Sequence, residues 1–229
     1  MSEHGALLDA LLLRAHWLVG GVLVVAVLLT LWLTIGARLP RPRAPGPWLA
    51  VAMAAIVAIV VDGTLGVGSR RALEGLAAPP ADALHIEINA RRWAWDVRYP
   101  GADGRFATPA DASPDDLVLN NELVVPAGVP VVLEVAAMDV VHAFNIPTLR
   151  VQIEAIPGHL GRTWFRALQP GEHVFLCAQH CGPAHYRMRG VVRVLSPTDY
   201  AAWAARQAKI AELRFDPDDT DARWGWEWR

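Results

Sequence analysis

The chain has 229 residues, 53% of them hydrophobic, which is enough for one good-sized domain plus an appendage. Its formal net charge of −2 gives no basic footprint and excludes a nucleic-acid binder. The hydrophobic excess is uneven, and its position along the chain carries most of the early information.

After a short lead-in over residues 1–16, the stretch Trp17 to Ala37 holds no charged residue. A second apolar stretch runs from Ala44 to Val61 and, past Asp62, on to Ser69. Each is long enough to cross a hydrocarbon core of about 30 Å as a helix. Soluble helices keep a polar face, and two neighbouring helices without one would need a large protein core around them. Membrane spans are therefore expected at about 17–37 and 47–69, in an anchor covering 1–78. The first run is longer than the apolar core of a signal peptide. Glu3 and Asp9 precede it with no basic flank, so a retained helix is expected. The connector Arg38-Leu39-Pro40-Arg41-Pro42-Arg43 carries arginines and no acid. The positive-inside rule places it in the cytoplasm and both chain ends outside. Arg14, Arg70 and Arg71 weaken that bias without reversing it.

Gly75 to Asp82 reads as a linker from its proline and small-residue content. A β-rich domain is expected over 79–196. Its strand candidates are Leu84–Asn89, Trp93–Tyr99, Leu117–Leu119, Val131–Ala136, Val151–Ala155, Thr163–Leu168, Glu172–Leu176 and Val191–Leu195. Alternation puts Trp93, Trp95, Val97 and Tyr99 on one face. Turns at Pro126-Ala127-Gly128, Pro157-Gly158 and Pro170-Gly171 separate the runs. Short strands without intervening helices predict a small sandwich or Greek-key barrel. In the last segment, 197–229, Ser196-Pro197-Thr198-Asp199 caps a helix reaching about Leu213. The tail beyond it is acidic and then carries Trp224, Trp226 and Trp228.

The chain's two cysteines lie in Cys177-Ala178-Gln179-His180-Cys181-Gly182-Pro183-Ala184-His185-Tyr186-Arg187-Met188. Thiolates beside imidazole select copper or zinc over hard cations. Upstream, Asp139-Val140-Val141-His142 supplies a further imidazole. Four arrangements are open to these residues. A disulfide leaves the histidines and Met188 without a role. A structural zinc site has no use for a thioether. A mononuclear blue-copper site needs only one cysteine. A binuclear copper site uses every one of these side chains, with both thiolates bridging.

The run Cys-x-x-x-Cys-Gly-x-x-His-x-x-Met resembles the CuA loop of subunit II of haem–copper cytochrome c oxidases. So do Asp-Val-Val-His-Ala-Phe-Asn-Ile-Pro upstream, Ala155-Ile156-Pro157-Gly158, Trp93-Ala94-Trp95 and the paired N-terminal helices. The resemblance covers about Leu84 to Trp203. It implies a two-helix transmembrane hairpin followed by an all-β cupredoxin-like Greek-key barrel and a C-terminal helix. It also implies a binuclear CuA centre with His142, Cys177, Cys181, His185 and Met188 as side-chain ligands and Gln179 as a backbone-carbonyl ligand. Trp93 is the implied point of electron arrival, while Trp95 and Tyr99 are expected to pack the barrel.

The implied function is electron transfer from cytochrome c to haem in a separate catalytic subunit, where oxygen is reduced to water and protons move. The implied place is a bacterial inner membrane, with the copper domain on the periplasmic side. The chain departs from the family at two points. Gln179 stands where relatives carry a glutamate that helps bind a magnesium or manganese ion, and an amide is a poorer ligand for a hard cation. No acid occurs between Gly46 and Ala58, where many relatives carry a glutamate at the mouth of a proton channel. These departures leave open a CuA subunit of a nitric oxide reductase, and the residues alone also allow a membrane-tethered copper carrier. No Cys-x-x-Cys-His occurs, so no covalent c-type haem is expected. Asp96 to Asp103, with Asp111, Asp115, Asp116, Glu122 and Asp139, holds more acid than base. That balance predicts electrostatic steering of a basic cytochrome.

Overall fold

The computed structural model describes residues 1–36, 47–101, 104–106 and 117–214. The arginine connector, Asp103, Asp111, Asp115, Asp116 and the tryptophan-bearing tail lie outside the described residues. The chain forms two units: Ala6–Gly75, and Met1–Gly5 together with the chain from Leu76 onward.

The first unit is helical. Helix α1 spans Glu3–Gly36, α2 spans Pro47–Val61 and α3 spans Val67–Ala77. A π-helical turn, Asp62–Gly66, joins the last two. The segments Glu3–Leu31 and Val51–Gly75 are long and apolar enough to cross a membrane. Leu12, Leu23, Val25, Ile56 and Ile59 project from them unburied, as lipid-facing side chains do. Residues 1–16 are not the lead-in expected, because the helix begins at Glu3. The apolar run marks where hydrocarbon begins and not where the helix does. Its start is set by Ser2, whose hydroxyl accepts the Gly5 N–H at 3.0 Å. In the π turn, Thr64 Oγ1 donates to the Val60 and Val61 carbonyls at 2.6 and 3.2 Å. That bond satisfies carbonyl groups where the regular ladder is interrupted.

The second unit is a sandwich of two five-stranded sheets. Its strands are β1 Leu84–Arg91, β2 Ala94–Tyr99, β3 Leu117–Asn120, β4 Glu122–Pro126 and β5 Pro130–Ala137. They continue with β6 His142–Ile146, β7 Val151–Ala155, β8 Gly161–Arg166, β9 Gly171–Cys177 and β10 Arg189–Leu195. The sheet orders are β3-β2-β1-β5-β8 and β4-β10-β9-β6-β7. The pairs β1–β5 and β4–β10 are parallel, so the chain crosses between the sheets rather than running as a meander. Ile86, Ile88, Trp95 and Val97 meet Leu123, Phe144, Phe175 and Val192 in a dry core. Tyr99 ties the layers together: its hydroxyl donates to the Val124 carbonyl at 3.0 Å and accepts the Val124 N–H at 2.6 Å. Helix α4, Pro197–Arg214, starts at the expected cap, where Ser196 Oγ accepts the Asp199 N–H at 3.1 Å. It lays Trp203 against Tyr99, with ring centroids 5.3 Å apart.

Two strands were not expected. β4 ends in proline and follows a pair of asparagines, and β6 opens on a candidate ligand, so neither shows a clean alternation. Trp93 corrects a third point. It precedes β2 and is 38% exposed, whereas Trp95, Val97 and Tyr99 point into the core. The end of β1 carries the turn holding Trp93. Parallel β5 ends level with it, and its continuation leads to His142 at the start of β6. Cys177 at the end of β9 lies opposite Phe144 of β6. Three loops thus converge at one end of the sandwich.

Candidate metal centre

β6 brings His142 to the end of β9, and the loop from β9 to β10 carries the remaining donors. The His142, Cys177 and Cys181 donor atoms all lie within 4.8 Å of one another. His142 Nδ1 is 3.9 Å from Cys177 Sγ, and the two sulfurs are 3.8 Å apart. Both cysteines are free and buried, so no disulfide closes this loop. Cys181 Sγ gathers the other two donors, with His185 Nδ1 at 3.6 Å and Met188 Sδ at 3.7 Å. The Gln179 carbonyl accepts from the Cys177 thiol at 3.0 Å, so its oxygen is turned toward the sulfurs. All six residues expected to act as ligands are brought together. His142 and Met188 are fully buried, while His185 is partly open to solvent.

The loop is shaped by a few local devices. The Cys177 N–H donates to the Met188 carbonyl at 2.9 Å and the Ala178 N–H to Ala143 at 2.9 Å, which pins both loop ends to the sheet. Gly182 sits at φ 123, a conformation that favours glycine. A Cβ there would lie 3.3 Å from Trp93 Cζ2, so the indole rests directly against the loop. Trp95, fully buried, meets the His142 ring at 6.0 Å and Phe144 at 5.2 Å, which fixes the imidazole from the core side.

Asp139 has a role that composition alone did not reveal. Its Oδ1 is 2.9 Å from His142 Nε2, which leaves Nδ1 as the nitrogen facing the sulfurs. Its Oδ2 accepts the Arg92 backbone N–H at 2.8 Å and Arg92 Nε at 3.1 Å. One carboxylate therefore orients a donor imidazole and anchors the turn that presents Trp93. Its place three residues before His142 was a visible signal, but the Arg92 partner was not.

The electrostatics follow from crowding. Burial raises the Asp139 pKa, but the bonds from His142, Val140 and Arg92 outweigh it and hold the carboxyl well below its ordinary range. Burial also disfavours the Cys177 thiolate, yet hydrogen bonds from His142 and neighbouring groups bring its pKa down to about 6. Burial and then the nearby Cys177 charge push Cys181 up to about 11. For His142, burial lowers the pKa and the bonds to Cys177 and Asp139 raise it further than that. Two thiolates this close need added positive charge between them, which is what a bound metal supplies. Soft sulfur, imidazole and thioether donors in a dry setting fit copper better than zinc or a hard cation.

The family model for cytochrome C oxidase subunit II, periplasmic domain, matches residues 84–195. Over these residues the chain is similar to the periplasmic domain of cytochrome c oxidase subunit II. The alternative cytochrome c oxidase subunit 2 of Bradyrhizobium diazoefficiens is 37% identical over 151 residues, which cover 58% of this chain and 54% of that one. The cytochrome c oxidase subunit 2 of Cereibacter sphaeroides is 27% identical over 227 residues, covering 83% and 75%. Among solved structures, the periplasmic domain of subunit II of cytochrome oxidase (CoxB) of Bradyrhizobium japonicum is 28% identical with a TM-score of 0.50, covering 58% of this chain and 99% of that one. The chain spans about half the length of the Bradyrhizobium diazoefficiens relative. The two apolar helices and the match to a periplasmic-domain family fit an inner-membrane protein, and the cupredoxin-like sandwich carries a His/Cys cluster whose donors suit copper.

Proposed function

We propose that this chain is the electron-transfer subunit of a respiratory haem–copper oxidase, taking electrons from cytochrome c and passing them to haem in a catalytic partner subunit. The observation that carries the reading is the convergence of two free cysteines, two imidazole Nδ1 atoms and a thioether on one buried point. His142, Cys177, Cys181, His185, Met188 and the Gln179 carbonyl would hold a copper pair there. Copper bound there would supply a one-electron redox couple. The chain's own residues do the rest. Asp139 sets the His142 tautomer, Trp95 and Phe144 keep water from the core side, and the pinned loop ends hold the donors in place before any metal arrives. Such preorganisation keeps rearrangement small when charge changes. Trp93, half-open and in contact with the loop, is the point of electron arrival.

The helices of residues 1–78 anchor the protein in the bacterial inner membrane, and the domain over 79–196 lies on the periplasmic side with both termini. The permanent site is favoured over a carrier by its burial, since exchangeable carriers expose their ligands. The Gln179 side chain offers no carboxylate for a shared magnesium or manganese ion, so that ion is not part of the reading. Metal analysis of the full chain in detergent is expected to give two coppers per chain, with an electron spin resonance signal shared over both. Cys177→Ser and Cys181→Ser are each expected to abolish that shared signal. One copper per chain with an ordinary blue-copper spectrum would overturn the binuclear centre.

A further inference from the structure

A buried metal centre needs a way in, and this fold closes most sides of the donor cluster. His142, Cys177, Cys181 and Met188 are buried. Trp95 and Phe144 wall the cluster from the core side, and the Trp93 indole rests against Gly182. The Cys177 N–H bond to Met188 and the Ala178 N–H bond to Ala143 hold both loop ends to the sheet. Of the side-chain donors, His185 alone is partly open to solvent.

His180 stands at that opening. It lies between the two cysteines in the chain, it is exposed, and its ring centroid is 5.6 Å from that of His185 with the planes at 44°. Metal–nitrogen bonds of about 2 Å let two imidazoles at roughly this separation share one copper ion. His185 turns Nδ1 toward Cys181 Sγ at 3.6 Å, which leaves Nε2 as the nitrogen facing away from the sulfur. A neutral imidazole offers one lone pair at a time. The His180–His185 pair is therefore complete only in the empty protein: once His185 Nδ1 is a ligand in the cluster, its Nε2 carries the proton. The other exposed residues of the loop, Ala178, Gln179, Pro183, Tyr186 and Arg187, bring neither an imidazole nor a sulfur.

We infer that His180 and His185 form a transient landing site for a single copper(I) ion, from which His185 and Cys181 draw it into the buried cluster. The inference rests on the reading of this loop as a copper centre. Only ligands are exchanged and no electron moves, so the ion enters and stays as copper(I). Cys181 gives its thiol proton to water as it takes the metal, and the His185 proton passes through solvent from Nδ1 to Nε2. His180 is released at the end and is free to receive the next ion.

The test follows uptake of copper(I), supplied anaerobically as its acetonitrile complex, by the copper-free full chain in detergent. Thiolate-to-copper absorbance gives the rate, and metal analysis after desalting gives the final content. His180→Gln and His180→Leu are expected to load about tenfold more slowly, the scale on which a residue beside a metal ligand acts. Both should reach the wild-type copper content and, after oxidation, the wild-type spin resonance spectrum. His180→Met restores a soft donor and should recover most of the rate. Loading of His180→Gln and His180→Leu at the wild-type rate overturns the inference and leaves the copper centre standing. A lower final content in His180→Met together with the other two also overturns it, because His180 would then belong to the cluster itself. If the unaltered chain takes up no copper, the reading of the loop fails and the inference fails with it.

Discussion

The two thiols of the copper loop show how a single residue's surroundings become a measurable property. The unfolded reference for each is near 9. In the metal-free fold Cys177 is depressed to about 6, so the stability it contributes is complete above pH 9 and is lost as pH falls through about 6. Cys181 is raised to about 11, so its contribution is complete below pH 9 and is lost as pH rises through about 11. His142 is raised above 6.5, so the stability it contributes is lost as pH rises through its folded pKa and opposes the gain from Cys177 there. The copper-stripped protein should therefore have its highest melting temperature near pH 9, read by thermal denaturation across the two flanks. Cys181→Ser should remove its share of the alkaline fall, and Cys177→Ser should remove the acid-side rise. At this scale the sequence was most informative. Cys177, Gln179, Cys181, His185 and Met188 sit in one motif, whereas His142 lies 35 residues before Cys177, and it was the family resemblance that implied the full ligand set. The Arg92–Asp139 bond is not legible in the sequence, because it joins positions 47 apart and exists only once β1 and β5 lie side by side.

The elements show where packing overrides pattern. The periodicity of β2 was readable, but it placed Trp93 inside with Trp95, because alternation cannot tell the last turn residue from the first strand residue. β6 carries only the short run His142-Ala143-Phe144-Asn145-Ile146, and its pairing with both β7 and β9 makes it a strand. Gly190 is a position where the sheet, not local propensity, dictates the residue. It pairs with Phe175, and a Cβ there would collide with the Phe175 ring and the Asn121 carbonyl. The carbonyl is backbone and cannot swing away, and the Val191 N–H donates to it at 3.0 Å. Gly190→Ala is expected to cost about 1–3 kcal/mol, as overpacking does. Because Gly190 lies two residues after Met188, it should also loosen copper. Trp95→Leu removes the ring that packs His142, Phe144 and Phe175, and is expected to cost about 3–5 kcal/mol. Chemical denaturation of each variant, with copper content measured first, checks both. Wild-type stability for Gly190→Ala would mean that the strands separate more easily than their register implies.

At the scale of the whole molecule, the question is which side of the membrane each part faces. The helices announce themselves by composition, but their direction rests on charge. Arg38, Arg41 and Arg43 lie in the connector between the two spans, with no acid among them. On the opposite side the basic residues are Arg14, Arg70 and Arg71, and these are accompanied by Glu3, Asp9 and Glu74. Loop arginines resist translocation, and acids counteract orientation only weakly, so the count of arginines near the spans decides. The totals are equal, three on each side, which makes the compactness of the connector cluster the deciding feature. A reporter enzyme that is active only after export, fused after residue 214, should be active in cells. The same reporter inserted in the connector should be inactive. Replacing Arg38, Arg41 and Arg43 with glutamine should reduce the activity of the first fusion, because the remaining arginines then favour the reverse orientation. If the first fusion is inactive in the unaltered chain, the sandwich faces the cytoplasm, where an exported electron donor cannot reach Trp93.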